Sequence, residues 1–184
     1  MLAPDLSRPS WDEYFLAMAA MVSTRSTCVR RMVGMVLTDV HHRVLSSGYN
    51  GTAPGAPHCI DQPCAGATAA SGTNLQDCES SHAEISGLAD CADRTRVDTV
   101  YLTTAPCSTC VTALLLTSAT RLVFLDDYPG SEESRRRWER SGRIWHHFEG
   151  DSWQRVFSMA SSRSDYSYRR RSAVVGQPRS GATS

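Results

Sequence analysis

The sequence predicts a three-layer α/β/α sandwich built on a central five-stranded mixed sheet. Three observations carry this. Helical and extended patterns follow one another as helix, strand, strand, and then three further helix–strand pairs between residues 11 and 148. The first two strands flank a short polar turn, as in a hairpin. The chain of 184 residues is the length of one domain and long enough to bury a core without staples.

Ser10, Trp11, Asp12 and Glu13 form a capping box that opens a helix over residues 11–23. Its apolar residues Tyr14, Leu16, Met18, Met21 and Val22 are its candidates for burial. Residues 32–40 are rich in Val and Met and read as a strand. His41, His42 and Arg43 make the turn, and residues 44–49 return as the second strand. Residues 81–93 read as a helix capped by Ser80 or Ser81, with Ile85, Leu88 and Ala92 on one face. Residues 97–103 form a strand. Residues 107–119 form a helix started by Pro106, with Val111, Leu114 and Leu115 facing the core. A strand follows at 121–125. Residues 131–141 form a polar helix with Glu132 and Glu133 in its first turn and Arg135 to Arg137 later, the order the helix dipole favours. Residues 144–148 supply the fifth strand.

Two segments lie outside this pattern. Residues 50–80 carry Gly, Pro, Ala and Ser, the three cysteines Cys59, Cys64 and Cys78, and almost no periodicity. A loop this long inside a compact domain is usually functional or disordered, and its cysteines indicate that something clips it down. Residues 161–184 hold five arginines against Asp165 and read as a disordered tail. The expected organisation is an extension over 1–9, a folded domain over 10–160 and this tail.

Formal net charge is zero and every basic residue is Arg. Global electrostatics therefore offer no argument for a nucleic-acid or membrane partner. No run of 18 apolar residues exists, and residues 1–10 lack the basic and apolar regions of a signal peptide, so a cytoplasmic protein is expected. In that setting seven cysteines point to metal ligation rather than disulfides.

The chemistry concentrates between His82 and Cys110. The stretch opens with His82, Ala83 and Glu84 and closes with Pro106, Cys107, Ser108, Thr109 and Cys110. One imidazole and two thiolates give a tetrahedral zinc three protein ligands and leave the fourth position for water. This arrangement is the signature of zinc-dependent base deaminases. Attack on an amidine-like ring carbon needs a strong nucleophile at neutral pH, and zinc lowers the pKa of water toward 7. Glu84, two residues beyond His82, is the candidate proton shuttle from water to the ring nitrogen and then to the leaving ammonia. Both thiolates sit at a helix start, where backbone amides favour the anion. A zinc that merely staples two helices is the bland alternative. It needs a fourth protein ligand, for which Cys78 and Cys91 are the candidates, and Cys91 is too far along the helix from His82 to reach the same ion.

Residues 10–150 resemble the deoxycytidylate (dCMP) deaminase family, most of all its bacterial and phage type, including late-competence-like proteins. The motifs carrying the resemblance are Trp11-Asp12-Glu13-Tyr14-Phe15, Arg25-Ser26-Thr27-Cys28, Val33-Gly34, Gly48-Tyr49-Asn50-Gly51 and the two metal motifs. The resemblance implies a cytidine deaminase-like fold, hydrolysis of dCMP to dUMP and a homo-oligomer, often a hexamer. It also implies activation by dCTP and inhibition by dTTP, with Mg2+ accompanying the nucleotide effector. It makes Asn50 the candidate sugar contact and Tyr128 a pocket residue, with Ala83 beside them. It further implies a second, structural zinc held by Cys28, Cys59, Cys64 and Cys78; His58 in the same loop is an alternative ligand but reads first as a surface loop histidine.

The chain departs from the family at Met35, where Ala is usual, at Ser86-Gly87, where Asn-Ala is usual, and at Gly130 in place of an acid. Met35 abuts the expected base pocket. Arg31 and its neighbour Arg30 are candidate phosphate contacts. The alternatives are a deaminase of CMP or a 5-modified cytidylate, a nucleic-acid base deaminase, and a non-catalytic zinc- and nucleotide-binding protein. Riboflavin-pathway and guanine deaminases share the zinc motif but lack the Gly-Tyr-Asn-Gly.

Overall fold

The computed structural model describes residues 7–68, 77–128 and 130–161. Five strands form one mixed sheet: β1 (Gly34–Thr38), β2 (Val44–Tyr49), β3 (Thr99–Thr104), β4 (Arg121–Asp126) and β5 (Ile144–His147), in the order β2-β1-β3-β4-β5. β1 is antiparallel to both β2 and β3, while β3, β4 and β5 run parallel. The helices are α1 (Trp11–Ser23), α2 (Ala83–Asp90), α3 (Ser108–Leu114), α4 (Glu132–Arg140) and α5 (Arg155–Ser161). The expected sandwich and its five-stranded mixed sheet are present.

Period-two alternation divides the central strands between two apolar layers. Met35, Leu37, Val100, Leu102, Leu122 and Phe124 point to one side, where Leu88, Val111, Leu114 and Trp138 cover them. Val36, Tyr101 and Val123 point to the other, against Phe15, Leu16 and Ala19 of α1. Burying a large apolar side chain contributes about 1.5–3 kcal/mol, so these two layers hold the sheet in place.

The capping box is formed as expected. The Glu13 amide donates to Ser10 Oγ at 3.2 Å, and the Ser10 amide donates to Glu13 Oε2 at 2.8 Å. The buried face of α1 differs from the expected one: Phe15, Leu16 and Ala19 are inside, whereas Tyr14 and Met21 are exposed. Leu16 is fully buried and Met18 and Val22 pack partly buried against the same layer, so only Tyr14 and Met21 lie on the outer face. α2 also differs. It begins at Ala83 with His82 as its N-cap and stops at Cys91, whose extended backbone ends it. Asp93 instead caps a short 3-10 turn over Arg94–Arg96 through the Thr95 amide. Ile85 and Ala92 face outward accordingly.

Two elements were not legible. A 3-10 turn at Ser152–Gln154 and α5 follow the last strand and pack on α1. Arg155 reaches back to Glu13, at 3.0 Å from Nε to Oε1 and 2.9 Å from NH2 to Oε2. The helix extends to Ser161, so the expected domain boundary at 160 cuts its last residue. The tail beyond it lies outside the described residues, as do most of the 1–9 extension and residues 69–76 of the long loop.

α2 rests unusually close to the hairpin. A Cβ at Gly48 would collide with the Ala83 carbonyl and the Gly87 amide, and a Cβ at Gly87 would collide with Met35 Cε. Ser46 Oγ adds a buried hydrogen bond to the Gly87 carbonyl at 2.8 Å. Two glycines and one hydroxyl therefore set the height of the helix that presents Glu84.

Candidate metal centre

Two helix starts meet at the site. His82 is the N-cap of α2, and Cys107 is the N-cap of α3, directly after β3 and Ala105-Pro106. Both caps have extended backbones, with φ −72° and ψ 151° at His82 and φ −71° and ψ 166° at Cys107. Each side chain therefore leaves its helix toward the other. His82 Nδ1 lies 3.6 Å from Cys107 Sγ and 3.3 Å from Cys110 Sγ. All three ligand atoms fall within 4.8 Å of one another, and among the described residues they are the one such group of His, Cys, Asp or Glu.

The donor set fits zinc. Bonds of 2.0–2.1 Å to nitrogen and 2.3 Å to sulfur place tetrahedral ligands about 3.5–3.8 Å apart, close to the spacing found here. Cys110 is buried, Cys107 half-buried and His82 exposed, so the ion would sit at the mouth of the site with one side open. The Cys107 thiol is pulled down to about 4, chiefly by Cys110 donating to it and then by His82 and the Cys110 amide. The same contact, with burial, pushes Cys110 up. The thiolate beside His82 raises its imidazole.

Glu84 is buried, at 4% exposure, in the first turn of α2. Burial raises its carboxyl, and its nearest charged or sulfur neighbours are His82, Cys107 and Cys110. A carboxylate in that position touches the centre without belonging to the ligand set.

The remaining candidates fall around this centre in different ways. Asn50 is buried and ties down the chain before β1. Its Oδ1 accepts from the Val33 amide at 2.8 Å, and its Nδ2 donates to the Arg31 carbonyl at 2.7 Å. An amide oxygen has two lone pairs and an amide nitrogen two hydrogens, which leaves one of each. Arg31 is exposed and lies 3.8 Å from Asp126 at the end of β4. Tyr128, two residues further, is half-buried, and burial raises its phenol. Ala83 is fully buried with its carbonyl against Gly48. Met35 is fully buried, and its methyl fills the space that Gly87 leaves empty.

The long loop brings its cysteines toward Cys28. Cys59 and Cys64 are 3.7 Å apart, and Cys78 lies beside Cys64 and within electrostatic reach of Cys28. No three of these four thiols come within 4.8 Å of one another among the described residues. All are free thiols. His58 faces Asp61 at 3.8 Å.

Two further residues carry no signal in the sequence. Asp126 pairs with Arg31 across the sheet, which only the β1-β3-β4 strand order reveals. Ser134 is a fully buried hydroxyl in a helix whose composition reads as solvent-facing.

Comparison with known proteins adds an independent line. Residues 9–126 match the family model described as the cytidine and deoxycytidylate deaminase zinc-binding region. The deoxycytidylate deaminase of Saccharomyces cerevisiae is 36% identical over 144 residues, covering 77% of this chain and 45% of the yeast protein. The chain thus spans less than half the length of that relative. The deoxycytidylate deaminase of Mycobacterium phage D29 is 34% identical over 125 residues, covering 65% of this chain and 97% of the phage protein. In fold, the chain resembles the dCMP deaminase of cyanophage S-TIM5 crystallised with dCMP and dUMP, with a TM-score of 0.59 at 18% identity over 77% of this chain and 99% of the other.

Proposed function

The chain belongs to the cytidine and deoxycytidylate deaminase zinc-binding family, and from that premise we propose that it is a zinc-dependent hydrolase converting dCMP to dUMP and ammonia. The observation that carries the reading is the buried Glu84 carboxyl beside a His82–Cys107–Cys110 donor set spaced for zinc. The cyanophage and phage relatives named for dCMP support the choice of base and sugar.

His82, Cys107 and Cys110 would hold the ion, which when bound supplies a Lewis acid that makes water nucleophilic at neutral pH. The chain's own residues do the rest. Glu84 removes a proton from the attacking water and delivers it to the ring nitrogen N3; it then takes the remaining proton from the new C4 hydroxyl and gives it to the amino group, which leaves as ammonia as the C4 carbonyl forms. Its burial keeps bulk water from competing for that proton. Asn50 uses its spare donor and acceptor on the sugar. Arg31 exchanges Asp126 for the substrate phosphate, since a surface pair at 3.8 Å is weak and readily displaced. Tyr128 lines the pocket. The test is ammonia release from dCMP, CMP, a 5-modified cytidylate, dCTP, cytidine and single-stranded DNA. Highest kcat/KM on dCMP supports the reading, and activity on the polymer alone overturns it.

The reading extends to a second, structural zinc on Cys28, Cys59, Cys64 and Cys78. The 3.7 Å separation of Cys59 and Cys64 supports it, because two thiolates on one zinc lie about 3.8 Å apart. About two zinc ions per chain is the expected content, and about one overturns the idea. The family resemblance supports a homo-oligomer that is activated by dCTP and inhibited by dTTP, with Mg2+ on the effector phosphates. Repeating the panel with Mg2+ and each nucleotide, alongside sedimentation, tests this. No helix among the described residues is long and apolar enough to cross a membrane.

A further inference from the structure

Tyr128 and Ser134 meet outside every motif of the sequence. Tyr128 leaves the end of β4, and its ring packs on the apolar layer shared by α2, α3 and α4. The chain then turns sharply. The Ser131 amide donates to the Tyr128 carbonyl at 3.2 Å, and Gly130 takes a left-handed φ of 103°. A Cβ at that glycine would stand 3.9 Å from Tyr128 Cε2, so Gly130 lies against the edge of the ring. It launches α4 with Ser134 in the first turn. Ser134 is 0% exposed, and its hydroxyl has no hydrogen-bond partner among the described residues. A buried hydroxyl without a partner is costly, and the group beside it is the Tyr128 phenol. That phenol also lies within electrostatic reach of Glu84, Cys107 and Cys110.

We propose that Ser134 is a positioning residue whose hydroxyl pairs with the Tyr128 phenol and fixes that ring as a wall of the nucleotide pocket beside Glu84. The inference rests on the deaminase reading for its substrate, and it deepens that reading by naming what orients the wall. The Ser134 hydroxyl does not touch substrate. Its effect passes through the tyrosine.

The test compares the zinc-loaded full chain with Ser134→Ala, Tyr128→Phe and the double variant, measuring kcat, KM for dCMP and Tm. Each single variant is expected to raise KM about three- to tenfold, the loss of one hydrogen bond, with kcat nearly unchanged. The double variant is expected to match Tyr128→Phe alone, because a ring without its hydroxyl gives Ser134 nothing to hold. Ser134→Cys, close in volume with a weaker donor, falls between wild type and alanine. An unchanged KM in Ser134→Ala, or single effects that multiply in the double variant, overturns the pairing. A second readout is independent of turnover. NMR of tyrosine-labelled protein should show a slowly exchanging Tyr128 hydroxyl proton that Ser134→Ala abolishes, and its absence in the wild type overturns the pairing. A wild type that shows this proton yet releases no ammonia from dCMP defeats the deaminase reading and leaves the pairing standing.

Discussion

Glu84 and Cys107 stand at two helix starts, and their chemistry depends on that placement. Glu84→Gln keeps the size and shape of the side chain but removes its capacity to carry a proton. Turnover of dCMP is expected to fall by at least about 10²–10⁴-fold, the usual worth of a positioned acid–base group, while zinc content measured by atomic emission stays at the wild-type value. Loss of the metal in the same variant would show that Glu84 acts on the ligand set instead. A second pair at this scale is Met35 and Gly87. The sequence alone presents both as independent departures from the family pattern, yet the Met35 methyl occupies the space a Gly87 side chain would need. Gly87→Ala is expected to cost about 1–3 kcal/mol by overpacking, and Met35→Ala about 2–5 kcal/mol by leaving a cavity. In Met35→Ala/Gly87→Ala one methyl replaces the other, so denaturant unfolding should give a loss clearly below the sum. Additive losses would show that the two residues do not share one space.

At the scale of elements, α1 is anchored from both sides of its first turn. Asp12 accepts a two-pronged ion pair from Arg121 of β4 at 2.6 Å in each arm, and the Tyr101 hydroxyl donates to it at 3.2 Å. Glu13 accepts from the Ser10 amide and from Arg155 of α5. The Arg155 guanidinium holds the Glu13 carboxyl down at about 2. A carboxyl held below its unfolded value of about 4.3 stabilises the fold above that pH. The stabilisation is lost as pH falls through the folded value. Tm should therefore drop between about pH 4.5 and 2, and Glu13→Gln should flatten that segment of the curve. An unchanged slope would mean that other carboxylates, Asp12 first among them, carry the acid sensitivity. The same bridge makes α5 part of the domain. Arg155→Ala should raise hydrogen exchange in α5 and at the start of α1 while leaving α2 and α3 protected.

For the whole molecule, the metal is expected to stabilise the fold as well as to support turnover, because its ligands come from two helices separated by β3. A ligand that binds the folded state alone stabilises it in proportion to its occupancy. Removal by a chelator should lower Tm and free α2 from α3, with hydrogen exchange rising first at residues 82–88 and 105–111. Cys59→Ser offers the complementary measurement. A loss of about one zinc per chain with dCMP turnover retained would place the second ion in the long loop, whereas full metal content would remove it.

The sequence by itself determined the fold class and singled out the candidate metal ligands that the fold brings together. Both are written in local patterns: period-two strands, the Ser10–Glu13 capping box, and His82, Glu84, Cys107 and Cys110 at or just after helix starts. Such features depend on a few neighbouring residues, and the backbone near them has few alternatives. Composition also misled in identifiable places. Tyr14 and Met21 are apolar yet lie on the outer face of α1, and a helix of seven residues such as α5 carries little periodic signal. Only the tertiary structure decided the contacts between residues far apart in the chain. It joined Met35 to Gly87, Arg31 to Asp126 and Glu13 to Arg155. Each of these pairs depends on strand order or on how closely one layer rests on the next. No local spacing encodes such distances, because they are set by how the whole core packs.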